Sequence, residues 1–504
     1  MRIFFSIILA FFTLSFYSQN SFIKDSLDLY VQREMKKWQI PGVAVSVVKD
    51  GKIIVCKGFG TTELNGNKNV DEQTLFQIAS NSKAFTGTAL AMLDVSKKIS
   101  LDDKVKKWIP YFDLKDQYAA NEATVKDMLC HRIGFQTFQS DFLNWNCNLS
   151  RADIIKAMKT VSPVNSFRYK YGYCNSAFLV AGEVIKAATD TSWDDFIQHR
   201  FLNPLNMNRS STRHEKIATD KNAAKPYTIL NDKMELLEYA NIDNIGPAAS
   251  INSCVKDLSN WLLCQLDSGR FMGKQVIPYK AIALTRTPNM ISGRGGNPNY
   301  PGNHFSLYGL GWGIKDVDGK VMYEHTGGAD GFVTSVCVIP EFNLGIVVLT
   351  NTDVNTFFLA LREQIIQSYF NKSYQNLSEN YYKRNLEENK QQVDEIRQLK
   401  KAASENKTKF EFTNQLLGKY YNEVYGEIEI KNVGAEQIIY FPKHTGVIGK
   451  LSFIGSNQMM CEYSYKTWGI QKLKINRNGN QLKSITVKVN DFVDYLDYEF
   501  VKMK

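Results

Sequence analysis

Two serines and a lysine lie close together in FQIASNSKAFTGTALAML (residues 76–93), where Ser80 and Ser82 precede Lys83. Residues three apart on a helix share a face, whereas neighbours point about 100° apart, so Lys83 reaches the Ser80 hydroxyl more readily than that of Ser82. A serine attacks a carbonyl only when a base takes its proton. An amine is such a base only when burial or nearby cations lower its pKa. The apolar neighbours Phe76, Ile78, Phe85 and Leu90 favour that burial. A helix start adds free backbone N–H groups and the positive end of the helix dipole, which stabilise a developing oxyanion. Ser80 is the candidate nucleophile.

The Ser-x-x-Lys spacing alone decides nothing, because it recurs at Ser21/Lys24, Ser46/Lys49, Ser253/Lys256 and Ser404/Lys407. Two further segments add chemistry. In FRYKYGYCNSAFLVAGEVI, Tyr173 and Asn175 lie two apart, and the expectation is an extended segment that points both the same way before a helix begins. A tyrosine hydroxyl relays protons, and an amide holds both a lysine and a substrate carbonyl. In YEHTGGADGF, His325, Thr326, Gly327 and Gly328 are expected on an edge strand, where glycines admit a substrate backbone and a backbone N–H meets an oxyanion. The triplet recurs as His444-Thr445-Gly446, so it too is uninformative alone.

The elements that must position these residues are legible in outline. IPGVAVSVVKDGKIIVCKGFG reads as two strands joined by a tight turn at Asp50-Gly51. From Phe76 to about Asn203 apolar residues recur at helical intervals, and Tyr308 to Asn351 returns to β-type runs before a last apolar helix. The expected fold class is therefore α+β, with an antiparallel sheet assembled from distant segments, flanking helices and a helical subdomain over residues 19–371. Residues 372–409 are polar and charged and read as a solvated helical linker. Residues 410–504 alternate β-prone runs with turns, as in a small antiparallel barrel or sandwich.

Composition narrows the setting. With 504 residues, 44% hydrophobic and 22% charged, the chain can bury a sizeable core. Residues 1–18 combine Arg2, an apolar run from Ile3 to Phe16 and the small Ser18, which predicts a signal peptide and a periplasmic or secreted protein. The apolar run is shorter than the roughly 20 residues of a spanning helix, so no stable transmembrane segment is expected after signal removal. The eight cysteines sit mostly in apolar runs without a CxxC pair, predicting buried free thiols. The six histidines are dispersed without metal-ligand spacing, so no metal or cofactor is expected. The net charge of +10 is scattered among acids, which argues against nucleic acid as a partner.

The order Ser80-x-x-Lys83, Tyr173-x-Asn175, His325-Thr326-Gly327 resembles the penicillin-recognising serine hydrolases related to class C β-lactamases, D,D-peptidases and esterases. The blocks IPGVAVSVVKDGKII, ISLDDKVKKWIPYF, ATVKDMLCHRIGF, FLNPLNMNRSST and YGLGWGI extend that resemblance from about Ile40 to Asn351. It implies a β-lactamase/transpeptidase-like domain, and the C-terminal part resembles the lipocalin-like β domain appended in some members. It further implies that Ser80 is acylated, Lys83 is the principal proton acceptor, Tyr173 assists proton transfer and Asn175 orients substrate. The N–H groups of Ser80 and Gly328 would form the oxyanion hole. Class C enzymes usually carry lysine where this chain has His325, a residue only partly charged near neutral pH. His-Thr-Gly is more similar to the peptidase and esterase branches. The expected substrates are small molecules or peptides, cell-wall fragments among them, with β-lactam hydrolysis and non-catalytic sensing as alternatives. Cys130 and Cys174, at positions usually held by small hydroxyl residues, are expected to pack, and His131 to hydrogen-bond structurally.

Overall fold

The computed structural model describes residues 20–230, 233–296, 303–370, 372–406, 413–455 and 457–504. The expected signal peptide, residues 1–18, lies outside the described residues. Among the described residues no helix is long and apolar enough to cross a membrane.

The N-terminal part is built on an eight-stranded antiparallel sheet. Its strands are β1 (Gly42–Lys49), β2 (Lys52–Gly60), β3 (Met290–Arg294), β4 (Phe305–Tyr308), β5 (Gly313–Val317), β6 (Lys320–Ala329), β7 (Phe332–Ile339) and β8 (Leu344–Thr350). They lie in the order β2-β1-β8-β7-β6-β5-β4-β3. Asp50 and Gly51 both take positive φ, 50° and 72°, which is what the tight turn between β1 and β2 requires. The central strands read as continuous apolar runs because both faces are covered. From β1, Val43, Val45 and Val47 join the core beneath the helices at the two ends of this part, α1 (Leu27–Trp38) and a later apolar helix, Phe357–Tyr369. Ala44 and Val48 join the opposite core, where Ser46 hydrogen-bonds Ser259 of the helix Val255–Leu266 at 2.6 Å.

Four helices matter below: α2 (Ser82–Val95), α3 (Asp141–Asn144), α4 (Asn175–Thr189) and α5 (Leu377–Glu405). The segment read as a solvated linker contains α5, whose outer side is solvated and whose inner side is not. Leu377 and Leu399 are buried, and the Ser378 hydroxyl accepts from the Trp38 indole at 2.8 Å and donates to Glu34 at 2.7 Å. Few apolar positions suffice because the contact is with the helix Phe357–Tyr369, the end of α1 and one wall of the C-terminal strands.

Those strands close into an eight-stranded barrel, β9 (Gly418–Asn422) through β16 (Tyr498–Lys502), each paired with its sequence neighbour, with β9 and β16 closing the ring at Tyr420↔Lys502. Its interior is filled by side chains such as Ile428, Ile439, Met459, Leu473, Ile485 and Phe500, all buried. Phe142 of the N-terminal part plugs one mouth, stacked on Tyr425 at 4.8 Å and set edge-on to Trp468 at 5.1 Å. The two parts therefore share one continuous apolar core. All eight cysteines are free thiols, as expected from their apolar surroundings.

Candidate active site

The short strand Phe76–Gln77 pairs with Asn252–Ser253 and leads into a 3-10 turn, Ala79–Asn81, that runs directly into α2. Ala79 adopts φ 46°, a conformation costly for a residue with a Cβ, and side chains hold it there. The Ser82 hydroxyl donates to the Ala79 carbonyl at 2.7 Å and accepts the Ile251 N–H at 3.0 Å. Asn81 donates to the Ile78 carbonyl at 3.0 Å and to the Thr334 hydroxyl at 2.8 Å. Ser82 is thus a buried clamp at the helix start, while Ser80, half-buried, opens onto a cavity of about 680 Å³.

Lys83 is fully buried beneath that cavity. Its amine lies 3.1 Å from Ser80 Oγ, 2.6 Å from Asn175 Oδ1 and 3.0 Å from the Ala248 carbonyl, with the Tyr173 ring centroid 4.5 Å away. Burial lowers its pKa to about 7, against the attraction of Asp141, which raises it. The two oxygens of Asn175 and Ala248 can only accept, so a neutral amine spends its two N–H groups on them. Its lone pair then faces the one partner able to donate, the Ser80 hydroxyl.

Tyr173 hydrogen-bonds Ser80, and burial pushes its phenol well above the ordinary range, so it stays a neutral phenol beside the amine. His131 accepts the Cys174 N–H through Nδ1 at 3.0 Å and packs, tilted, against Tyr173 with ring centroids 4.3 Å apart, the structural role expected for it. Cys130 and Cys174 are buried, and burial raises both thiols to about 12. The extended Tyr173-x-Asn175 segment needs correction. Asn175 is the first residue of α4, and the residue before it, Cys174, is extended with φ −136° and ψ 113°. Tyr173 and Asn175 converge on Lys83 through this bend rather than through strand alternation.

The edge-strand expectation is also refined. β6 is an interior strand, paired with β5 as far as Glu324 and with β7 along Tyr323 to Ala329. Beyond Glu324 no strand among the described residues pairs with its β5 side, so residues 325–329 present a local edge to the cavity. Thr326 and Gly328 face that space. Gly327 faces the Ala79–Asn81 turn, where a Cβ would come within 2.1 Å of the Ile78 carbonyl oxygen and 2.5 Å of the Thr334 hydroxyl. Gly327→Ala is therefore expected to push β6 away from Ser80, at a cost of about 1–3 kcal/mol. Thermal melting together with the rate of probe labelling at Ser80 checks this; wild-type values for both would refute the contact.

His325 is buried, and both ring nitrogens are engaged. Nδ1 meets the Thr326 carbonyl at 2.6 Å and so must carry the proton, leaving Nε2 to accept from the Tyr308 hydroxyl at 2.9 Å. Burial and then the nearby Lys83 lower its pKa to about 4, so it is neutral at pH 7 rather than partly charged. The cation on this wall is Lys315, held by Glu324 at 2.8 Å, and Glu324 in turn binds Arg362 at 2.8 Å.

All eight residues singled out in the sequence gather at this one cavity: Ser80, Tyr173, Asn175, His325, Thr326 and Gly328 line it, Lys83 lies beneath it and Gly327 beside it. Several lining residues carried no recognisable sequence signal. Asp141 comes from α3, and Asp491, Phe492, Val493 and Tyr495 come from the barrel, with the Phe492 ring 3.2 Å from where a Cβ on Gly328 would sit.

The family model described as Beta-lactamase matches residues 27–369. The chain belongs to the Beta-lactamase family. Among curated relatives, "Protein flp" of Staphylococcus aureus (strain MRSA252) is 26% identical over 338 residues, 65% of this chain and 63% of that protein. "Unguisins hydrolase ungD'" of Aspergillus campestris is 28% identical over 335 residues, 64% of this chain and 60% of that protein. The chain thus spans less than two thirds of the length of these relatives. The octameric penicillin-binding protein homologue from Pyrococcus abyssi aligns with a TM-score of 0.60 at 19% identity, covering 94% of this chain and 99% of that one. Its likeness covers the Beta-lactamase fold and the C-terminal barrel together.

Proposed function

We propose that this Beta-lactamase family member is an exported serine hydrolase, periplasmic or secreted, that works through an acyl-enzyme on Ser80. The observation that carries the reading is the Lys83 amine, 3.1 Å from Ser80 Oγ with a pKa brought to about 7. A base so poised is partly deprotonated at neutral pH and still basic enough to accept a hydroxyl proton. Lys83 takes the Ser80 proton as Oγ bonds to the substrate carbonyl carbon. The resulting oxyanion is stabilised by the N–H groups of Ser80 and Gly328. The bond to the leaving nitrogen or oxygen breaks as that atom receives the proton from Lys83, relayed by the Tyr173 hydroxyl. Water then attacks the acyl carbonyl, gives its proton to the same pair, and releases the carboxylic acid and free Ser80.

For substrate, D-amino-acid peptides rank first, short-chain esters second and β-lactams third. A neutral His325 with both nitrogens spent offers no free cation to a drug carboxylate. Phe138, Phe492 and Tyr495 give the cavity an apolar wall suited to an uncharged side chain. A relative named as a hydrolase supports hydrolysis in general. The test is mass spectrometry after a fluorophosphonate or penicillin probe on wild type and Ser80→Ala, alongside a panel of D-Ala-D-Ala peptides, nitrophenyl esters and a cephalosporin. A Ser80 adduct lost in the variant, with peptide or ester turnover leading, is expected. Labelling unchanged by the substitution would sink the assignment, and a cephalosporin kcat far above the others would overturn the ranking.

A further inference from the structure

Asn175 can serve Lys83 only if its amide is turned the right way, with oxygen toward the amine. An amide has two nearly isosteric orientations, and its surroundings choose between them. Here the choice is made by Asp141, whose Oδ2 accepts from Asn175 Nδ2 at 2.6 Å while Asn175 Oδ1 accepts from Lys83 at 2.6 Å. While ionised, the Asp141 carboxylate can only accept, so an inverted amide would set oxygen against oxygen and leave Lys83 without its shortest partner.

Asp141 is itself held from the barrel. It opens the four-residue helix α3 after a loop in which Phe138 and Ser140 take φ 60° and 71°, unfavourable values for residues with a Cβ. The Ser140 N–H donates to the Tyr498 hydroxyl at 2.9 Å, and the Phe142 N–H donates to Asp494 Oδ2 at 3.2 Å. Tyr498 in turn donates to Asp494 at 2.6 Å. Two barrel side chains therefore grip the backbone on either side of Asp141, and the next side chain, Phe142, plugs the barrel mouth.

We propose that Asp141 is a positioning residue for the Lys83 base, acting through the Asn175 amide, and that the barrel sets its placement and its charge through Tyr498 and Asp494. The inference rests on Ser80 being acylated with Lys83 as base. The charged and titratable groups around the Asp141 carboxyl come from every element packed on it: Lys83 from α2, Tyr173 and Cys174 before α4, and Asp494 and Tyr498 from the barrel, with the amides of Asn144 and Asn175 beside it. Burial and then the Asp494 carboxylate raise its pKa to about 7, while Asn175, Lys83 and Asn144 pull it down. Lys83 and Asp141 thus titrate as a coupled pair.

The two carboxylates make opposite predictions. Removing the Asp141 charge takes away an attraction that favours protonated Lys83, so the amine loses its proton at lower pH. Removing the Asp494 charge lets Asp141 ionise more readily, so Lys83 keeps its proton to higher pH. The experiment is the rate of fluorophosphonate labelling at Ser80 against pH in the full chain, read by mass spectrometry. Asp141→Asn should move the acidic limb down by roughly 1 pH unit and lower the plateau. Asp494→Asn should move the limb up by about 0.5 pH unit. A role confined to packing would lower the plateau and leave both limbs in place, which overturns the proposal. If Asp141→Asn does not fold, an unmoved limb in Asp494→Asn overturns it as well. Absence of a Ser80 adduct in the wild type at every pH would overturn the acyl-enzyme reading, and this inference with it.

Discussion

Replacing Lys83 by methionine should slow Ser80 acylation by about 100- to 10,000-fold, the range a positioned general base contributes. Methionine approximates the length of the side chain and removes only the basic nitrogen, so the loss reports proton transfer rather than a collapsed cavity. The same change should alter stability in a pH-dependent way. Burial takes the Lys83 amine from the ordinary lysine range to about 7, a displacement equivalent to about 5 kcal/mol opposing folding. Its sign follows from proton counting. Between about pH 7 and pH 10 the unfolded chain holds a proton on this amine that the folded chain does not, so wild-type stability rises with pH across that window. Below pH 7 the penalty is fully present. Lys83→Met is free of it, but leaves the Asn175 and Ala248 oxygens without their donor, a loss of about 1–3 kcal/mol for each buried group. The advantage of the variant over wild type should therefore be greatest at or below pH 7 and shrink steadily toward pH 10. Denaturant melts at several pH values measure this, and a pH-independent difference would contradict the buried amine.

Phe142→Ala should be the most damaging change away from the reacting groups, costing about 3–5 kcal/mol. The ring is buried among Tyr425, Trp468, Phe441, His444 and Tyr498, with centroids 4.8 to 6.1 Å away. Those partners belong to the barrel and the ring to the N-terminal part, so the loss falls on the junction. Calorimetry should resolve a separate, lower-temperature transition for the barrel. A single transition at the wild-type temperature would show that Phe142 does not hold the two parts together.

How far the sequence revealed this site depends on whether a residue acts through local or distant neighbours. Ser80 and Lys83 lie one helical turn apart, so their pairing is compatible with the spacing, and the Tyr173-x-Asn175 and His325-Thr326-Gly327 segments single it out from the other Ser-x-x-Lys pairs. The two strands and the tight turn at Asp50-Gly51 were equally legible, because turn chemistry and β-prone runs are local signals, whereas the burial of GVAVSVVK on both faces emerges only from the packing. The second His-Thr-Gly triplet proves structural: His444 sits in the barrel mouth and meets the Tyr425 hydroxyl at 2.9 Å. Asp141 was not visible. FQSDFLNWN has no periodicity that marks an acid as important, and its meaning arises only when α4 and the barrel converge on it. The wall around Phe492 is hidden for the same reason, since about 160 residues separate it from Gly328 in the chain. The segment read as a solvated helical linker is helical over Leu377–Glu405, and its buried edge at Leu377, Ser378 and Leu399 left no signal because a helix touching other surfaces along one edge needs few apolar positions.

The strand order carries a consequence for how the molecule comes into being. β1 pairs with β8 in register Val43↔Thr350, so the middle of the sheet closes a loop of about 300 residues. No part of that pairing can exist until nearly the whole N-terminal part has left the ribosome. The barrel is the reverse: every strand but the closing pair bonds to the strand just before or after it, so most of its pairings close short loops. The barrel, made after the sheet, thus depends least on distant pairings, and its mouth is where Phe142 seats. Docking of the barrel mouth onto Phe142 and the backbone around Asp141 is therefore expected to complete the candidate site only after the sheet has closed.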